Sequence, residues 1–123
     1  MALIQRFEDL EAWKISREVT KEIYRISKND LFVRDYSLRD QICRASVSVM
    51  SNIAEGFERD GSKEFVNFLS IAKGSSGEVR SQLYVVLDQD YISENEFNLN
   101  LRENDPKQQN NCRTDELSKT IRR

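Results

Sequence analysis

The stretch Gln41-Ile42-Cys43-Arg44-Ala45-Ser46-Val47-Ser48-Val49-Met50-Ser51-Asn52-Ile53-Ala54-Glu55-Gly56-Phe57-Glu58-Arg59 decides the fold. Ile42, Ala45, Val49 and Ile53 recur at steps of three and four, which puts them on one helical face, and Leu38 extends the stripe upstream. Ser37 stands where an N-cap is expected, and Asp40 three residues on gives a variant of the capping box. Gly56 falls where a left-handed residue closes a helix. The pattern predicts a helix over 37–56. The connection Phe57-Glu58-Arg59-Asp60-Gly61 is short enough to make the next helix an antiparallel neighbour.

Downstream, Ser62 is a candidate cap for the longest helix, 62–88, with Phe65, Phe68, Leu69, Ala72, Val79, Leu83 and Val86 on its buried face. A second stripe, Ser70, Gly74, Gly77 and Ser81, consists of small residues on one side. Each glycine inside a helix costs about 1 kcal/mol relative to alanine. Close approach of another backbone, from the same chain or a neighbouring subunit, would offset that cost; a local flexible point is the alternative. Upstream, Ala12, Ile15, Val19, Ile23 and Ile26 mark a first helix over about 9–28, widened by Leu10 and Trp13 and stopped at Asn29-Asp30.

These three helices make one helical domain over 1–98. Beyond it the pattern weakens. Ser93-Glu94-Asn95-Glu96 opens a further helix with Phe97 and Leu99 as its early anchors. From Arg102 to Glu116 the sole apolar residue is Cys112, and Pro106 interrupts the stretch. The segment 99–123 therefore reads as a polar, disordered tail or as a fourth helix translated out of frame. Shifting the frame forward by one base from Asn100 permits, with suitable synonymous codons, Ile-Tyr-Glu-Lys-Thr-Ile-Gln-Asn-Ser-Lys-Thr-Ile-Ala-Gly-Leu-Met-Asn-Tyr-Leu-Lys, an amphipathic peptide without proline. The expected class is all-α, an antiparallel up-down four-helix bundle with a degenerate or missing fourth helix.

Composition narrows function. The 123 residues include no histidine, which removes the usual near-neutral acid–base group and the commonest metal ligand. Without histidine the carboxylates Glu55, Glu64 and Glu78 cannot complete the usual di-metal site of a bundle, and Ser46, Ser48 and Ser51 have no base to activate them. No catalytic residue, metal site or cofactor is expected. The N-terminus lacks a secretory pattern and no run of about 18 apolar residues suggests a membrane span. Cys43 and Cys112, far apart, read as free thiols of a cytoplasmic protein. Nineteen basic residues against 21 acidic ones give a net charge of −2, so there is no global basic excess for nucleic acid.

The same Gln41–Arg59 stretch, ending its helix in Asn52-Ile53-Ala54-Glu55-Gly56, resembles the signature of the bacterial 23S rRNA-intervening-sequence protein family. The resemblance continues through Glu64-Phe65, Phe68-Leu69, Ile71-Ala72-Lys73-Gly74-Ser75 and Glu78-Val79-Arg80-Ser81-Gln82-Leu83, and takes in Phe7, Leu10 and Trp13, covering roughly 7–97. Asp90 stands where the family usually has glycine. The resemblance implies an antiparallel four-helix bundle and homo-oligomers such as homopentamers. It also implies similarity to the accessory protein of diversity-generating retroelements, which binds nucleic acid and a reverse transcriptase.

The candidate contacts to RNA or DNA are Arg39, Arg44, Arg59, Lys63, Lys73 and Arg80, on or beside the second and third helices. A ring of subunits would concentrate their charge; interspersed Asp40, Glu58, Asp60 and Glu64 allow an ordinary solvated face instead. Asn52 and Glu55 read as helix-end partners, the carboxylate pairing with Arg59. The expected function is a non-enzymatic, self-assembling adaptor associated with nucleic acid. The alternative is a purely protein-interacting oligomeric scaffold.

Overall fold

The computed structural model describes residues 3–103, with side chains through residue 100. Four helices follow one another: α1 (Glu11–Ile26), α2 (Tyr36–Glu58), α3 (Ser62–Asp88) and α4 (Glu94–Glu103). Single 3-10 turns at Phe7–Asp9 and Phe32–Arg34 precede α1 and α2. The helices pack in cyclic order, α1 on α2, α2 on α3, α3 on α4 and α4 back on α1, as in an up-down bundle. The antiparallel sense shows in the contacts: Ser48 meets Ser75, and further along α2 Gly56 meets Phe68, earlier on α3.

The helix ends differ from the expected ones in instructive ways. Asp35, not Ser37, caps α2, its carboxylate accepting from the Leu38 N–H at 3.2 Å. Gly61, with φ of 104°, caps α3 in place of Ser62. Gly56 does not stop α2, which runs on to Glu58. It is buried there because α3 lies too close for a side chain: a Cβ would stand 2.5 Å from Phe68 Cβ and 3.1 Å from Phe65 Cδ1. The close backbone approach that the sequence suggested at Gly74 and Gly77 is thus made within the chain at Gly56.

Two apolar clusters fill the bundle. One joins Val19, Ile23 and Ile26 of α1 to Ile42, Val79, Leu83, Val86, Ile92 and Phe97. The other joins Leu10 to Val49, Ile53, Phe57, Phe65 and Ala72, with Phe7 and Trp13 against it. Between them each long helix contributes one buried serine, Ser16, Ser46 and Ser76. Ser16 and Ser46 donate to carbonyls of their own helices, Trp13 at 2.8 Å and Cys43 at 2.9 Å, so these hydroxyls are buried at little cost.

The fourth helix is present, described from Glu94 to Glu103. Ser93 caps it, its hydroxyl accepting from the Glu96 N–H at 3.1 Å, while the Glu96 carboxylate accepts from the Ser93 N–H at 3.3 Å, a complete capping box. The turn before it is laced to the α1–α2 connection. The Tyr91 hydroxyl donates to Asp35 at 2.9 Å, the Asn29 amide donates to the Tyr91 carbonyl at 3.1 Å, and Tyr91 stacks on Phe32. The polar run expected over 99–123 lies, from residue 104 onward, outside the described residues.

Candidate nucleic-acid interface

The six cations singled out in the sequence do not form one continuous patch. Arg44 is held by Asp40 one turn earlier on α2, at 3.1 Å. Arg59 pairs with Glu55 at 3.0 Å and lies over the Phe68 ring, 5.2 Å from its centroid. Lys63 is near Arg59 in sequence, across the α2–α3 turn, and exposed. Arg39, at the other end of α2, donates to the Val33 carbonyl at 3.0 Å and lies over Tyr36 at 5.3 Å. Lys73 and Arg80 share a face of α3 by their heptad spacing. One turn beyond Arg80 that face carries Tyr84, which packs edge-on against Phe97 of α4. These two cations therefore follow the α4 side, away from Arg39.

The small-residue stripe is open within the chain. Ser70, Gly74 and Ser81 are exposed and Gly77 is half-buried. Among the described residues nothing beyond the local backbone of α3 lies within 4 Å of the position a Cβ would take at Gly74 or Gly77. Ile71 and Val85 are also exposed on α3, at 52% and 44%. Asn52 serves its own helix, its amide donating to the Ser48 carbonyl at 2.8 Å. Among the described residues no group of three metal-ligating side chains occurs. Nor, among them, is any helix long and apolar enough to cross a membrane.

The most organised charge on the molecule is on α1, a helix that supplied no candidate cation. Arg17, Lys21 and Tyr24 follow one another at steps of four and three on a single face of α1, and Lys28, in the turn just past the helix, stands four residues beyond Tyr24. This is the side toward α2. Next to it the Thr20 hydroxyl donates to the Ser46 carbonyl at 3.1 Å, and Tyr24 and Lys28 share a pocket with residues of α2. Arg17 lies over Trp13 at 5.8 Å. The acids of α1 go elsewhere. Glu11, Glu18 and Glu22 fall on another face by the same spacing rule. Glu22 is bonded to Arg25, which reaches Glu96 of α4 at 3.4 Å. Hydrogen bonding from Arg25 holds the Glu22 carboxyl below its ordinary range. The helix thus carries cations alone on the side beside α2, and on the side toward α4 a mixed face in which Lys14 and Arg25 pair with Glu11 and Glu22.

The pocket on the basic side has a volume of about 350 Å³ and is lined by Tyr24, Ser27, Lys28, Arg39, Asp40 and Cys43. Tyr24 is 44% exposed and Tyr36, under the Arg39 guanidinium, is 70% exposed. Asp40 is engaged by Arg44. Burial pushes the Cys43 thiol up, against a hydrogen bond with Ser27 and the field of Arg39, so it is a poor nucleophile. The pocket offers cations, hydroxyls and aromatic surface. Its signal was present in the sequence as the spacing of Arg17, Lys21, Tyr24 and Lys28, but their relation to α2 required the packing.

The architecture and the signature residues meet in a comparison with known families. A family model described as 23S rRNA-intervening sequence protein matches residues 8–109, from before α1 to beyond α4 and past the 7–97 that the motifs suggested. No curated protein matches the chain. With more than half of its length matched, the chain belongs to the 23S rRNA-intervening sequence protein family.

Proposed function

We propose that this protein is a non-enzymatic, cytoplasmic adaptor that self-assembles and associates with nucleic acid. The observation that carries the reading is the run of cations on α1. A chain of net charge −2 places Arg17, Lys21 and Lys28 on one face, while Glu11 and Glu22 pair with Lys14 and Arg25 on the neighbouring one. No ion pair to those three cations occurs among the described residues. Phosphate is the natural partner of such a face, since neutralising it releases condensed counterions. The description of the family, which ties it to ribosomal RNA genes, agrees with this choice. The lack of histidine anywhere in the chain supports a role without catalysis.

Self-assembly, into a homopentamer on the resemblance, draws on the open stripe Ser70, Gly74, Gly77 and Ser81, which pays the helix cost of two glycines for nothing unless a second chain approaches. The original six cations, Arg39, Arg44, Arg59, Lys63, Lys73 and Arg80, would join the charged surface only around such an assembly. The test is binding of RNA and DNA by the purified protein across a salt series, with particle mass measured before and after nuclease. The adaptor reading expects binding that weakens steeply with salt. No binding at low salt, with an assembly unchanged by nuclease, would leave the purely protein-interacting scaffold.

A further inference from the structure

We infer that the α1–α2 face is a single-strand site, in which the pocket between Tyr24 and Arg39 receives an unpaired base and Arg17, Lys21 and Lys28 hold the phosphates beside it. The inference rests on the adaptor reading and specifies it: the ligand is a single-stranded polynucleotide, RNA or DNA, and not a duplex.

Three features of the face select a single strand. The first is aromatic surface turned outward. Tyr24 and Tyr36 are 44% and 70% exposed, beside a bundle whose phenylalanines at 32 and 65 are almost fully buried. Exposed rings among cations are what unstacked bases use, because every base has a π-face and a duplex hides it. The second is the cavity. A base does not reach a recessed pocket while it is paired, and about 350 Å³ between two helices is of the order that a small planar ligand fills. Its lining gives the ring both surface and polar edges: the Tyr24 ring, the Cys43 sulfur and the Ser27 hydroxyl, with Lys28 and Arg39 at hand for phosphate. Asp40 is the one acid on the lining, and it pairs with Arg44 at 3.1 Å. The third is direction. Arg17 and Lys21 lie one turn apart along α1, about 1.5 Å per residue, and Lys28 continues their line in the turn just past the helix end at Ile26. A flexible backbone can follow that line. The Arg39 guanidinium, 5.3 Å from the centroid of the Tyr36 ring, adds a second surface for a base at its end.

The test uses the full-length protein and four labelled probes of one sequence: single-stranded RNA, single-stranded DNA, and the duplex of each. Binding is read by fluorescence anisotropy at about 50 mM and about 200 mM salt. The single strands should bind more tightly than their duplexes. Tyr24→Ala and Tyr36→Ala should each weaken single-strand binding by about tenfold while leaving the salt slope unchanged, as loss of stacking does. Tyr24→Phe and Tyr36→Phe should retain it. Arg17→Gln with Lys21→Gln should lower the salt slope by roughly 1.4, the value for two phosphate contacts to a single strand. A direct map needs no variant: ultraviolet crosslinks should fall in the peptides 17–28 and 36–43. A wild-type protein that binds no probe overturns the adaptor reading itself. Equal affinity for single strand and duplex, tyrosine variants with unchanged affinity, or crosslinks confined to α3 would overturn the single-strand site while leaving that reading in place. The DNA and RNA arms decide which sugar the site accepts.

Discussion

The junction of α2 with α3 and the junction of α3 with α4 are built from residues of opposite quality. At the first, Gly56 lets α2 approach Phe65 and Phe68, and Gly61 takes the φ of 104° that the turn requires. At the second, Asp90 holds a φ of 59° without being glycine, and Asn100 is 1% exposed with an amide oxygen that finds no hydrogen-bond partner among the described residues. The helices on either side of the first junction span Tyr36–Glu58 and Ser62–Asp88, whereas the second leads to Glu94–Glu103. Local choices and global packing agree in one half and conflict in the other. Such agreement is what gives a fold its energy gap, so the hairpin of α2 and α3 is the part that specifies the structure.

The largest effect should come from breaking the good junction. Gly56→Ala already places a Cβ 2.5 Å from Phe68 Cβ, so the two helices must part, at a cost of about 1–3 kcal/mol; Gly56→Leu should cost more and unfold much of the population. Gly74→Ala, on the open stripe, should instead stabilise the separate chain by about 0.4–1 kcal/mol. Urea unfolding of both variants decides whether the chain's tight glycine is the buried one. Equal melting for Gly56→Ala and wild type would remove the packing argument. If self-assembly uses the stripe, Gly74→Leu should also lower particle mass.

The next effect tests the poor junction in the other direction. The Asn100 amide donates to the Glu96 carbonyl at 2.8 Å, and its oxygen has no donor among the described residues. Asn100→Leu keeps the branching and removes the stranded acceptor, and its larger methyls offset part of the gain, so it should raise stability by about 1 kcal/mol. A loss on substitution would mean that the amide is satisfied in solution and that α4 is well matched to its site. The out-of-frame reading of this region puts Ile in place of Asn100, the kind of residue a buried helix position takes. Sequencing the gene checks it: a stop codon soon after that point in the shifted frame, or no amphipathic pattern there, ends that reading.

Asp90 gives a smaller gain. Left-handed backbone is costly for a residue with a Cβ, though aspartate bears it better than most. Asp90→Gly should stabilise the chain by about 0.5–1 kcal/mol, read as a rise in melting temperature. No rise would mean that the Asp90 side chain compensates locally.

The contrast also explains what could be read in the sequence. The helices α1 to α3 were legible because Ile23, Ile42, Val79 and Leu83 repeat at helical steps and each is fully buried. Gly56 was located but misread, since a glycine near a helix end signals a cap and only the position of Phe68 shows that it is a contact. The caps were missed at Ser37 and Ser62 for a related reason: Asp35 and Gly61 act from just outside the apolar pattern. The site was the least legible part. Cations were sought on the helices that carry the signature, while Arg17, Lys21 and Lys28 gain meaning only beside Tyr24, Tyr36 and the pocket that α2 closes. Charge on a helix reads as solvation until a neighbour shows which face is shared.

The smallest effect concerns the one ion-pair tie between α1 and α4 among the described residues. Arg25 donates to Glu22 at 2.8 Å and extends to Glu96 at 3.4 Å, joining an otherwise weakly anchored helix to the bundle. The Glu22 carboxyl is held below its ordinary value of 4.5, first by the hydrogen bond from Arg25 and then by its charge, against the opposing pull of desolvation. A depressed carboxylate contributes stability that is fully present above the unfolded value and disappears as pH falls through the folded value. Arginine stays protonated throughout, so the loss belongs to Glu22 alone. The pair is about half exposed on the arginine side, which limits its worth to a few tenths of a kcal/mol. Glu22→Gln should therefore flatten the acid limb of the stability curve below about pH 4.5 and change little at neutral pH. Amide exchange across α4 should quicken slightly in the same variant, because α4 loses part of what orders Arg25 toward Glu96. An acid limb identical to wild type, with unchanged exchange in α4, would show that this tie does nothing to hold the fourth helix, and that the burial of Phe97 in the core, with its edge-on contact to Tyr84, holds it instead.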